Sequence, residues 1–163
     1  MAGGGDVNGD GLADIVVTAP YFQTQEGPPP GRVYTVFGKA DGATVSLAEV
    51  ASGLGGGAAM DGLSGTGHTL GAAVRDLDGD GLADYLVEDN GDVHLVHGRT
   101  GTERVQLGSA SVSEELVPKA AGPYYLVHGT SLGDLDGNGV NDLALVGFSN
   151  DDAVPGQVVV MHR

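Results

Sequence analysis

The chain has 163 residues and a mass of 16.3 kDa, and it carries 22 acidic against 7 basic side chains, for a formal charge of −15, with 30 Gly, no Cys and no Trp. These numbers exclude a disulfide framework, a thiolate metal site and a thiol nucleophile. They also argue against nucleic acid and anionic membrane surfaces, whose phosphates need a basic face, and no apolar stretch is long enough for a membrane-spanning helix.

The opening Met1-Ala2-Gly3-Gly4-Gly5 lacks a basic and an apolar region, so it predicts no signal peptide. The first acidic segment, Asp6-Val7-Asn8-Gly9-Asp10-Gly11-Leu12-Ala13-Asp14, follows at once, leaving no room for a strand ahead of it. Ile15-Val16-Val17 then reads as a short buried strand. Residues 21–30 are a Pro-rich connection that must be exposed. Gly31-Arg32-Val33-Tyr34-Thr35-Val36-Phe37-Gly38 alternates as a strand, and Ala43-Thr44-Val45-Ser46-Leu47 reads as a fourth. Gly53-Leu54-Gly55-Gly56-Gly57 lacks the register of a dinucleotide loop and reads as a flexible linker between units.

The pattern then repeats. A strand over 69–75 leads into Asp76-Leu77-Asp78-Gly79-Asp80-Gly81-Leu82-Ala83-Asp84, followed by Tyr85-Leu86-Val87, then Gly91-Asp92-Val93-His94-Leu95-Val96-His97-Gly98, then Glu103-Arg104-Val105-Gln106-Leu107. The best helix candidate, residues 112–119, is a single short stretch ended near Pro118. A strand over 124–132 leads into Asp134-Leu135-Asp136-Gly137-Asn138-Gly139-Val140-Asn141-Asp142, followed by Leu143-Ala144-Leu145-Val146 and by Gly156-Gln157-Val158-Val159-Val160-Met161-His162. No helix signal is long enough to build a parallel βαβ sheet, so the chain reads as all-β, in repeated four-stranded units.

All three acidic segments fit D-x-[DN]-x-[DN]-G-x-x-D and together hold ten of the 22 acidic residues; without those ten the charge is −5. Carboxylates at alternate positions of a Gly-bent loop repel one another unless a cation lies between them. Hard oxygen donors on a flexible loop select Ca²⁺ over Zn²⁺ or Cu²⁺, and their number selects it over Mg²⁺. Positions one, three and five supply side-chain oxygens: Asp6, Asn8 and Asp10; Asp76, Asp78 and Asp80; Asp134, Asp136 and Asn138. Position seven (Leu12, Leu82, Val140) supplies a backbone carbonyl, which leaves its side chain free to be apolar. Position nine (Asp14, Asp84, Asp142) closes each cage, and Gly at position six allows the turn. Three Ca²⁺ sites are therefore expected. An EF-hand is excluded: its twelfth position needs a bidentate Glu, and Val17, Val87 and Leu145 stand there.

On these loops, on Thr18-Ala19-Pro20 and on the strand from Gly31 to Gly38, nearly the whole chain resembles the FG-GAP repeats of integrin α-chain propellers and their bacterial relatives. Leu70-Gly71 and Leu132-Gly133 stand where the family has Phe-Gly. The resemblance implies β-propeller blades, about three four-stranded antiparallel units over approximately 1–50, 58–110 and 120–163, forming an incomplete or self-assembling ring. It implies Ca²⁺ within each blade, a secreted or cell-surface setting, and an adhesion or protein-interaction scaffold with a protein or cell-surface ligand. Further blades or a second copy of the chain would complete the ring; neither nucleic-acid binding nor membrane insertion is expected.

No catalytic set is expected. Gly129-Thr130-Ser131-Leu132-Gly133 matches G-x-S-x-G but leads into an acidic loop where a nucleophile elbow needs a helix. His94 and His97 fall on opposite sides of one strand, and His68, His128 and His162 are isolated, so all five read as surface or strand-end residues. Asp151-Asp152 and Glu114-Glu115 read as solvated charge. The second reading is an accessory or carbohydrate-binding propeller domain of a secreted enzyme, for which Tyr124-Tyr125 would be the stacking residues.

Overall fold

A computed structural model describes residues 2–20, 31–62, 68–69, 75–89, 92–110, 112–117, 124–149 and 156–163. The connection 21–30 and the pair Asp151-Asp152 lie outside the described residues, as do the side chains of His68, Glu114, Glu115, Tyr124, Tyr125 and His128. Among the described residues no helix is long and apolar enough to cross a membrane.

The chain is built of β1 (Ala2–Gly3), β2 (Ile15–Ala19), β3 (Arg32–Val36), the single-turn helix α1 (Leu47–Ala51), β4 (Gly57–Asp61), β5 (His68–Thr69), β6 (Tyr85–Asp89), β7 (Asp92–Val96), β8 (Val105–Gln106), β9 (Ser113–Val117), β10 (Tyr124–Gly133), β11 (Asp142–Ser149) and β12 (Gln157–Met161). They form three sheets, ordered β1-β2-β3-β4-β8, β5-β6-β7-β9 and β10-β11-β12. Every pairing is antiparallel except β4 with β8. This is the architecture of propeller blades, and the sheets do not close into a ring.

The strands that follow the acidic loops (β2, β6, β11) and their alternating partners (β3, β7, β12) lie where the sequence places them. Four expectations need correction. Ala2–Gly3 does pair ahead of the first loop, with Gly3 opposite Ile15 and Ala2 opposite Val16. The fourth strand of the first sheet is Gly57–Asp61, whereas residues 43–46 run without strand pairing into α1. The glycine run is thus a turn into that strand: Gly53, Gly55 and Gly56 have φ of 70°, 101° and 74°, and a Cβ on Gly57 would strike the Thr35 carbonyl. Finally, the stretch that offers the best helix candidate holds β9 (Ser113–Val117), the outer strand of the second sheet. The segment expected in that place holds only β8, which pairs parallel to β4 of the preceding sheet.

Alternation along the strands builds two inter-sheet cores. Val16, Val33 and Met60 of the first sheet meet Tyr85, Val87 and Val96 of the second, with Leu107 and Val112 filling the edge. The opposite face of the second sheet, through Leu86, Val93 and Leu95, meets Leu143 and Leu145 of the third, joined by Val159 and Met161. The other face of the first sheet is covered from its own chain: Tyr34 and Ala59 pack with Val50 of α1.

Candidate metal centre

Each acidic loop is wound around its first aspartate. In the first, Asp6 Oδ1 accepts from Gly9 N–H at 2.7 Å and its Oδ2 from Gly11 N–H at 2.7 Å. Asp76 accepts likewise from Gly79 and Gly81, and Asp134 from Gly137 and Gly139. These donors point inward because the glycines at positions four and six both take positive φ, 78° and 86° in the first loop, 85° and 90° in the second, 80° and 92° in the third. Sequence reasoning found this requirement only at position six. Position five, in turn, accepts from the N–H of position seven: Leu12 onto Asp10, Leu82 onto Asp80, Val140 onto Asn138.

The ninth position is a buried staple. Asp14 Oδ2 accepts Val7 N–H at 2.7 Å and its Oδ1 accepts Gly38 N–H at 2.7 Å. Asp84 does the same with Leu77 and Gly98, and Asp142 with Leu135 and Arg163. One carboxylate thereby ties the start of its loop to a residue just past the second strand after it (β3, β7 or β12). All three are buried. Burial pushes the Asp84 carboxyl up to about 6 against the pull of the Gly98 and Leu77 amides, with Asp78 adding repulsion. Burial also raises Asp14. Asp142 goes the other way, held down chiefly by the Leu135 amide.

Oxygen atoms of Asp76, Asp78 and Asp80 lie within 4.8 Å of one another in the second loop. Two further groups bring in histidines that the sequence reads as surface or strand-end residues: Asp78, Asp84 and His97, and Asp136, Asp142 and His162. His97 Nδ1 is 2.8 Å from Asp78 Oδ2, and His162 Nδ1 is 3.3 Å from Asp142 Oδ1. The signal was present in the strand alignment. Phe37, His97 and His162 each stand six residues after the glycine that precedes their strand, just before the residue that donates to the ninth-position aspartate. The set of hard carboxylate and amide oxygens, crowded beside a buried carboxylate, fits a divalent cation.

The loops also touch each other. The Leu82 side chain covers Gly9, where an added Cβ would stand 2.9 Å from its Cδ2, and Val140 covers Gly79 at 3.8 Å. Ala83 N–H donates to the Asp6 carbonyl at 2.8 Å, and Asn141 Nδ2 donates to the Asp76 carbonyl at 2.9 Å. Positions seven and eight of one loop thus dock on positions one and four of the loop before.

Elsewhere, Ser131 lies inside β10, which runs into an acidic loop and then β11, so the strand–turn–helix of a nucleophile elbow is not formed. His94 sits in β7 between Val87 and Glu115, buried, with neither ring nitrogen hydrogen-bonded.

Residues 2–36 match the family described as the FG-GAP repeat. The chain is similar to integrin alpha-4 of Xenopus laevis, 33% identical over 159 residues covering 91% of this chain and 14% of the relative. It is similar also to integrin alpha-PS3 of Drosophila melanogaster, 29% identical over 154 residues covering 91% of this chain and 13% of that protein. The chain therefore spans under a sixth of the length of these relatives.

Proposed function

We propose that the chain is a non-catalytic, calcium-stabilised segment of a β-propeller, acting outside the cell as an adhesion or protein-interaction scaffold. The observation that carries the reading is one hydrogen-bonded loop geometry built three times around a D-x-[DN]-x-[DN]-G-x-x-D frame, with the Asp76, Asp78 and Asp80 oxygens gathered within 4.8 Å. Ca²⁺ would be held by the side chains at positions one, three, five and nine and the carbonyl at position seven of each loop. Bound there, it supplies charge neutralisation: three ions take the formal charge from −15 to −9. The units of this scaffold are blades near the expected bounds 1–50, 58–110 and 120–163, with the first extended to take in β4 (Gly57–Asp61) and the second to take in β9 (Ser113–Val117), and the integrin likeness supports the extracellular setting and a protein or cell-surface ligand.

Calorimetric titration of the chelator-treated protein with Ca²⁺ tests the reading, together with thermal unfolding in Ca²⁺ and in chelator. At free Ca²⁺ a hundredfold above Kd, each occupied site adds about 2.7 kcal/mol. An unchanged melting temperature, with no heat of binding, would remove calcium from the account.

A further inference from the structure

In the second unit a nitrogen donor stands beside the oxygen cage. His97 lies just past β7 and meets the loop because β7 returns antiparallel along β6. Its Nδ1 is 2.8 Å from Asp78 Oδ2 and 4.0 Å from Asp84 Oδ1, and the ligand atoms of these three residues all lie within 4.8 Å of one another. That nitrogen is buried and has no hydrogen-bond partner. The His97 and Asp78 side chains are 25% and 28% exposed, so an ion has access from solvent. A ring nitrogen and a carboxylate oxygen at this separation need a proton in line between them or a cation beside both. The hydrogen-bond geometry for the proton is not met. Ligand atoms about 2.1 Å from a six-coordinate ion stand about 3.0 Å apart when adjacent and about 4.2 Å apart when opposite, close to the two separations at His97. The third unit repeats the donor types, with His162 Nδ1 3.3 Å from Asp142 Oδ1 and 3.7 Å from Asp136 Oδ2. The first unit has Phe37 at this strand position and so offers no nitrogen.

We infer that the second loop is a mixed nitrogen–oxygen site that binds a first-row divalent transition ion more tightly than Ca²⁺, with His97 Nδ1 as a ligand beside Asp78 and Asp84. Imidazole is a borderline donor that suits such ions, whereas Ca²⁺ takes hard oxygens and gains little from it. With its proton on Nε2, the neutral ring leaves the Nδ1 lone pair for the ion. The inference rests on the cation-cage reading above and adds to it the class of ion that this loop selects.

The probe is Co²⁺, whose unpaired electrons move the ring protons of a bound imidazole far outside the usual proton NMR window. Chelator-treated protein is titrated with Co²⁺, with and without excess Ca²⁺, and separately with Ca²⁺ alone. Wild type should show a shifted ring N–H resonance that His97→Phe lacks. The Co²⁺ affinity of that site should fall at least about tenfold in the variant, while the Ca²⁺ titration stays unchanged. Phe already stands at this position in the first unit; should His97→Phe lose its circular dichroism spectrum, His97→Gln takes its place. Persistence of every shifted resonance in the variant, equal Co²⁺ affinity of the two proteins, or Co²⁺ displaced by Ca²⁺ as readily from wild type as from the variant would overturn the inference and leave the calcium cages in place. Binding of neither ion would remove both readings.

Discussion

Asp84 illustrates what one side chain does in this architecture. Its two oxygens accept amides from Leu77 and Gly98, so the loop start and the far end of β7 meet at one buried group. Its folded-state pKa of about 6 stands above the usual 3.8. The fold therefore binds this proton more tightly than the unfolded chain does; the contribution is full below pH ~4 and is lost as pH rises through ~6. In chelator, wild type should lose on the order of 2 kcal/mol relative to Asp84→Asn between pH 4.5 and 7.5, measured by urea unfolding. In saturating Ca²⁺ the order should reverse, because the amide cannot supply the charge. The alternating acids of these loops are legible in the sequence because their spacing is local and their mutual repulsion needs an explanation. The approach of His97 to Asp78 is not, because it depends on β7 returning antiparallel along β6.

At the scale of elements, the tight spot in the first two units is the glycine (Gly38, Gly98) at which the chain returns over its own loop. A Cβ on Gly98 would strike the Leu82 side chain and stand 3.0 Å from the carbonyl oxygens of Ala83 and Val7. Gly98→Ala should cost about 1–3 kcal/mol by denaturant unfolding and weaken cation binding at the second loop. A second element-level tie is the Arg32–Asp61 pair across β3 and β4, at 2.6 Å with Arg32 buried. Gln106 donates to the Asp61 and Gly62 carbonyls from the neighbouring connection. Asp61→Ala removes the carboxylate partner of the buried Arg32 guanidinium and should lower stability by about 1–3 kcal/mol, whereas a paired apolar replacement of both residues should lose much less. The inner strands were readable because their apolar runs follow fixed loops. The outer strands were not: Val45 has strand-like neighbours yet lies in the run into α1, and Val105 belongs to the two-residue β8, which pairs with β4 of the preceding sheet. Gly57–Asp61, rich in Gly and Ala, has a composition that gives no strand signal.

Across the whole molecule, stability is shared between neighbours, since the middle sheet contributes to both inter-sheet cores. Leu95, fully buried against the third sheet, is a sensitive position. Leu95→Ala should cost ~2–5 kcal/mol and broaden or split the calorimetric transition, because it loosens the joint between two units of a nearest-neighbour array. The −15 charge, which at first reads as a property of the whole surface, is concentrated at three places, so a sharp Ca²⁺ dependence should appear in stability long before general salt effects.

The docking of positions seven and eight on positions one and four has a bearing on how such a chain can change length over time. Each joint is specified by a handful of residues that every copy carries in the same frame. A duplicated or deleted whole unit finds the same handhold on either side, while a break within a unit leaves a loop without its staple. Gain and loss by tandem duplication is thus structurally cheap only in whole repeats, and the number of units can drift among descendants while the joint between them stays the same.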